Sequence, residues 1–380
     1  MPTLTPSQRQ LLAYWLPALI GGAIAWLTFI AIGQTPLVRA SGLALVIVGV
    51  SITLRRFGAA FAVTGGLALA YCPAFWSQTG GGQNAPATIV LAVIIAGVTV
   101  ALIIGFAKRP YLAIAVGLII FAVIFWSQIG TPRSLRLTSL LTAWLLYLLI
   151  DSLRLTNLRP DDPPPDHSMT ARHTLGMLLL LALGVLNDPL LTLLIPAVVL
   201  GLLLSRKPLS SWYWAALLIV IVIGLRGIFV QYVNDYWWLY PVDASTNLRV
   251  PYILIGGWHE ASRWVGLFEL VIVQFSGAGL VLGILGLSRL ARWDPSLGIV
   301  TMVAYAAYAL FGLVYFGADR AILLLPLLII QVIWMTYAVY AFGEWLHKSL
   351  SRQPALVTWF APTAFAIMPL VMLARIIGVS

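Results

Sequence analysis

The sequence predicts an all-α integral membrane protein, with about thirteen spans at the roughly 20 apolar residues that a bilayer demands of each. Three observations carry that prediction. Of the 380 residues, 61% are hydrophobic and 9% are charged, against about 25% charged residues in a soluble domain. The mean hydropathy is +0.98. The bases cluster at the ends of apolar runs, as in Arg55-Arg56, Lys108-Arg109, Arg206-Lys207, Arg289 with Arg292, and Lys348 with Arg352. That placement is the positive-inside pattern. It also removes the nucleic-acid partner that a net charge of +10 would otherwise suggest, because no basic stripe forms.

Taken in order, the expected spans are about 11–32, 38–54, 59–75, 86–106, 110–127 and 136–153, then 211–232, 264–288, 297–316, 321–343 and 355–377. The run 174–204 is too long for one helix and contains Asn187-Asp188-Pro189. Proline ends a helix and Asn-Asp offers turn chemistry, so the run reads as a hairpin of two short spans. Charge supports this choice. With the N-terminus inside, the larger share of the bases falls on the inner side, whereas Arg39, Arg133, Arg136, Arg249, Arg263, Arg320 and Arg375 fall outside. A single helix at 174–204 would reverse everything after it and erase the bias. The expected setting is a bacterial cytoplasmic membrane, with the N-terminus cytoplasmic and the C-terminus outside. No small-residue cleavage pattern follows the first apolar run, so the first helix reads as retained.

Between Arg154 and His173 lies a stretch with three consecutive prolines and the acids Asp161, Asp162 and Asp166. It reads as a stiff, extended cytoplasmic linker. It divides the chain into a six-span half (1–153) and a half spanning 174–380 that carries a long outer loop, 233–263. Two unequal halves without matched broken helices argue against a transporter. The lone Cys72 sits in an apolar run, which excludes an intramolecular disulfide and reads as a buried, inert thiol. The tetrapeptide Phe-Trp-Ser-Gln occurs twice, at 75–78 and 125–128, each time after a span. Interfacial anchoring explains the Trp alone.

Chemistry, if present, is expected on the outer side. The loop carries Asp235, Asp243, His259, Glu260 and Arg263 together with two Trp-Tyr clusters; Asp188 stands at the hairpin tip and Asp319-Arg320 between two spans. Carboxylates there can act as general base or hold a divalent cation, and arginines can grip a phosphate. Plainer roles compete: Asp188 as a turn residue, Asp319-Arg320 as a local ion pair, His259-Glu260 as a wetted interfacial pair. Arg226 and Glu269 lie inside consecutive spans at similar depth, which suggests an intramembrane ion pair. No P-loop, dinucleotide fingerprint, zinc-type His pair or Ser-His-Asp elbow is present, and none of the four His is central in a span, which excludes bis-His haem.

Residues 121–154, FAVIFWSQIGTPRSLRLTSLLTAWLLYLLIDSLR, resemble the span-and-loop pattern of bacterial protein O-mannosyltransferase-like membrane proteins of the GT-C glycosyltransferase superfamily. LGMLLLLALGVLNDPLLTLLIPAVVLGLLL (175–204), VIVQFSGAGLVLGILGLSRL (271–290) and YFGADRAILLLPLLII (315–330) follow in the family's order. The resemblance implies a GT-C-like helical bundle and sugar transfer from a polyprenyl-phosphate carrier at an outward-facing site. Asp188, Asp235, Asp243 and His259 would then lie near the acceptor, with Arg263 or Arg320 on the carrier phosphate. The chain departs from the family in its first external loop, where the usual acid is missing; residues 1–150 contain no Asp or Glu. The hairpin tip reads Asn-Asp in place of the common Asn-His. Membrane lipids are expected partners on any reading. The alternative is a non-catalytic GT-C-like subunit of a membrane complex, whose interfacial aromatic residues pack on lipids and on other subunits.

Overall fold

The computed structural model describes residues 6–80, 110–126, 135–156, 171–205, 209–233, 253–349 and 354–378. The span expected at 86–106, most of the Pro/Asp-rich linker, and Asp235 and Asp243 lie outside those residues. Among the described residues the chain is helical, apart from one isolated bridge between Ile253 and Tyr315. Eight described helices are long and apolar enough to cross a membrane, or nine if one bent pair counts as a span.

The N-terminal elements are α1 (Pro6–Ala31), α2 (Leu37–Leu54), α3 (Ala59–Ala70), the single turn α4 (Pro73–Trp76), α5 (Pro110–Trp126) and α6 (Arg136–Thr156). Next come α7 (Ala171–Asn187), a 3-10 turn (Pro189–Leu194) and α8 (Ile195–Leu204). Gly176 of α7 and Gly201 of α8 lie against Leu148 and Leu149 near one end of α6, whereas Asn187 donates to Thr138 near its other end. The run 174–204 is therefore a hairpin, as Asn187-Asp188-Pro189 predicts. Its turn defines the tip end of the bundle.

The remaining elements are α9 (Ser211–Ile228, continuing as a π-helix Phe229–Val233), α10 (Ala261–Trp293), α11 (Pro295–Val314), the short α12 (Arg320–Leu323), α13 (Leu325–Ser349) and α14 (Pro354–Ile377). Every residue of α13 from Leu325 to Val339 is buried. A helix apolar all round belongs in the centre, and α3, α6, α10, α11 and α14 pack against it. On α10, Gly279, Gly283 and Gly286 recur at helical spacing; a Cβ on Gly286 would stand 1.8 Å from the Trp334 carbonyl oxygen of α13. Glycine is what lets the two backbones approach, as small residues do between membrane helices.

The expectation of unbroken helices needs correction. The span expected at 59–75 bends by 66° between α3 and α4, where Pro73 lacks the N–H that would continue the helix. In α10, Ser276 has φ 65° and ψ 173°, a conformation that glycine tolerates and serine does not. The two breaks meet, because Gln274 Oε1 accepts the Ala74 N–H at 2.7 Å and Gln331 Nε2 donates to Gly279 O at 3.0 Å. Side-chain amides thus occupy backbone groups beside both breaks. Away from the tip end, Arg56 Nη2 meets Asp294 Oδ2 at 3.0 Å.

Candidate functional site

The tip end gathers most of the described polar candidates around the C-terminus of α11. That terminus presents carbonyls with no helical partner and the negative end of the helix dipole. Arg263, at the start of α10, answers both: its Nε donates to Leu313 O at 2.9 Å and its Nη2 to Gly312 O at 3.2 Å and to Tyr315 O. The guanidinium also lies 3.9 Å from the centre of the Phe316 ring. The segment before α10 is held to the same place, since Leu254 N–H donates to Val314 O. Arg263 is thus a helix-capping group.

Asp188 is buried at the hairpin turn, and its Oδ1 accepts the Leu190 N–H at 3.0 Å. Such an N-cap is what an Asp before Pro at the first helical position supplies. Tyr308, on α11, donates its hydroxyl to Leu190 O at 3.1 Å. One turn on, Phe311 and Tyr315 stack at 5.2 Å, and Tyr232 meets both edge-on. Tyr315 in turn donates to Asp319 Oδ1 at 2.6 Å. Asp188 and Asp319 therefore flank one aromatic cluster built from Tyr308, Phe311, Tyr315 and Tyr232.

Arg320 donates to Gly266 O at 2.8 Å from the half-buried α12. Burial pushes its pKa below the usual guanidinium range while the charge of Glu269 opposes the shift; arginine stays a cation in either case. Glu269 and Glu260 are exposed, as are His259 and Trp258, whose rings lie 3.5 Å apart. Arg226 and Glu269 form no ion pair with each other among the described residues. The reason is placement: α9 packs on α7 and the hairpin turn, whereas α10 packs on α13 and α11. Among the described residues no three His, Cys, Asp or Glu side chains converge as a metal site.

A second polar knot escaped the sequence reading, which treats Arg39 and Arg136 as loop charges. Both are fully buried, and both donate to Gly80 O, at 2.8 and 3.0 Å. Arg136 Nε reaches Gln78 O, and Gln78 Oε1 accepts the Leu135 N–H. Gln78 is the last residue of the first Phe-Trp-Ser-Gln copy, so that repeat was the one available signal. In the second copy, Ser127 and Gln128 lie outside the described residues. No protein-family model matches the chain, and no curated protein or solved structure matches it either.

Proposed function

We propose that the chain is a divergent GT-C-like bundle of about thirteen spans that transfers a sugar from a polyprenyl-phosphate carrier at the outer membrane face. In this reading the tip end faces outward, in a bacterial cytoplasmic membrane with the N-terminus inside and the C-terminus outside. One observation supports it above the others: Asp188 and Asp319 flank a shared aromatic cluster at the end of α11, with Arg320 following Asp319 at the start of α12. Carboxylates beside aromatic surfaces suit a hydroxyl acceptor that must be deprotonated and a sugar ring that stacks. Asp319 is the half-exposed acid and the one positioned to act as base. Asp188 serves by holding the hairpin turn, and exposed His259 with Trp258 borders the approach. Arg320 retains donors for a phosphate, whereas Arg263 spends its own on carbonyls. Asp235 and Asp243, which lie outside the described residues, complete the set of acids on which a divalent cation would draw.

A non-catalytic subunit of a membrane complex is the second reading. The observation favouring it is that Asp188 and Arg263, two of the side chains best suited to chemistry, are committed to backbone groups. Gentle purification from the native membrane, followed by mass identification, separates the two. Bound polyprenyl phosphate or glycolipid, with transfer lost in Asp319→Asn, is the expected result. Stoichiometric protein subunits without carrier lipid would overturn the transferase reading.

A further inference from the structure

Helix α9 is the least embedded of the eight spans: 22% of its apolar window is buried. Its outward face is formed by Leu218, Ile219, Val222, Ile223, Phe229 and Val230, all exposed. Arg226 interrupts that face and is exposed with them. At about 100° per residue it falls between Ile219 and Val222, in the middle of the apolar surface. It cannot turn inward, because Gly224 and Gly227 on either side lie against Thr192 and Pro189 of the hairpin turn. No hydrogen bond, ion pair or ring contact ties it to another described residue.

Depth identifies the occupant. Trp212 is 58% exposed at the opposite end of α9 and marks the headgroup level there, as interfacial Trp does. From Trp212 to Arg226 is about 21 Å along the helix axis, which leaves roughly 9 Å of a 30 Å hydrocarbon core. An arginine that reaches out along the helix covers most of that distance, which is the behaviour of long basic side chains near a membrane boundary. A guanidinium there binds phosphate through paired N–H donors. We propose that Arg226 forms a lipid-phosphate site on the tip-end leaflet. The phosphate sits on the guanidinium, and the lipid chain lies along Ile223, Val222, Ile219 and Leu218.

The site is independent of the transferase reading, and phospholipid and polyprenyl phosphate share its chemistry. The test uses the full-length protein and its Arg226→Gln and Arg226→Lys variants, reconstituted in phosphatidylethanolamine–phosphatidylglycerol nanodiscs with or without added undecaprenyl phosphate. Retained lipids are identified by native mass spectrometry. Wild type should hold one phosphate-bearing lipid that Arg226→Gln retains about tenfold less, since a charge-assisted contact is lost, with Arg226→Lys in between. The mass of the retained species names the source. Equal retention in all three proteins overturns the site. So does loss of a co-purifying protein in place of a lipid, which would assign Arg226 to a subunit contact. Because the position is exposed, each variant should unfold at the wild-type midpoint; a variant that does not is replaced by wild type titrated with phosphatidic acid in a phosphate-free glycolipid bilayer, where absence of saturable binding counts against the site.

Discussion

Replacing Arg56 should loosen the joint between the N-terminal helices and the α10–α11 corner. Its guanidinium meets Asp294 at 3.0 Å, with side-chain exposures of 12% and 13%, and lies 5.6 Å from the Trp293 ring centre and 5.7 Å from that of Phe57. An exposed pair contributes about 0.2–1 kcal/mol, and breaking a buried one costs about 3–5 kcal/mol. A pair this enclosed belongs between those limits, and each ring contact adds about 0.5–1 kcal/mol. Arg56→Gln should therefore cost about 2–3 kcal/mol. Asp294 also accepts the Leu297 N–H at 3.1 Å as the N-cap of α11. Asp294→Asn keeps that cap and loses the charge, so it should cost about 2 kcal/mol, and Asp294→Ala about 1 kcal/mol more. The assay is reversible unfolding in mixed micelles, followed by tryptophan fluorescence, for Arg56→Gln, Asp294→Asn and the double variant. A coupling of about 1–2 kcal/mol is expected, little changed at high salt because the pair is enclosed. Additivity within about 0.5 kcal/mol would refute the ion pair as the joint.

Four further outcomes follow from the same geometry. Gly286→Ala places a methyl against a backbone oxygen of α13 that cannot rotate away, so it should destabilise by about 1–3 kcal/mol. Gly256→Ala, with nothing within 4 Å, should be neutral in the same unfolding assay. Ser276→Gly relieves a positive φ and should stabilise by about 1 kcal/mol, with Ser276→Val going the other way. Asp188→Asn should preserve the hairpin cap while Asp188→Ala loses about 0.5–2 kcal/mol; loss of transfer in Asp188→Asn at unchanged stability would show that its charge serves chemistry as well as the turn.

The elements that sequence alone located are those where a local signal coincides with a physical boundary. Asn187-Asp188-Pro189 ends one helix, caps the next and is recovered as the tip of a hairpin. The long apolar runs among the described residues are recovered as helices for the same reason, since a bilayer leaves the backbone no other partner. The central place of α13 was not legible. A helix buried on all sides has no polar face to orient it, and the loop at 233–263 drew attention because it was the conspicuous polar stretch. The two breaks were half legible: Cys72-Pro73 carries a proline signal, whereas Ser276 carries none, and its break is bracketed by the Gln274 bond to Ala74 and the Gln331 bond to Gly279.

The buried arginines share one physical feature that the sequence does not display. In a chain with no Asp or Glu before residue 151, an arginine near a helix end invites an anionic ligand. The structure offers another acceptor, the carbonyl oxygens that helix ends and breaks leave free. Arg39 and Arg136 share Gly80 O, and Arg263 gathers the last carbonyls of α11. Within a low-dielectric interior such groups must be satisfied, and a guanidinium with five fixed donors can satisfy several at once. These three arginines are therefore accounted for by the fold before any ligand is invoked, whereas Arg320 spends one donor on Gly266 O inside α10 and keeps others. Arg226 differs in kind, since it sits on the outward face of α9 with no hydrogen bond or ion pair to another described residue. A cation there gains its partner from outside the chain, which is why the lipid-phosphate site on α9 is assigned to Arg226 and not to Arg39, Arg136 or Arg263.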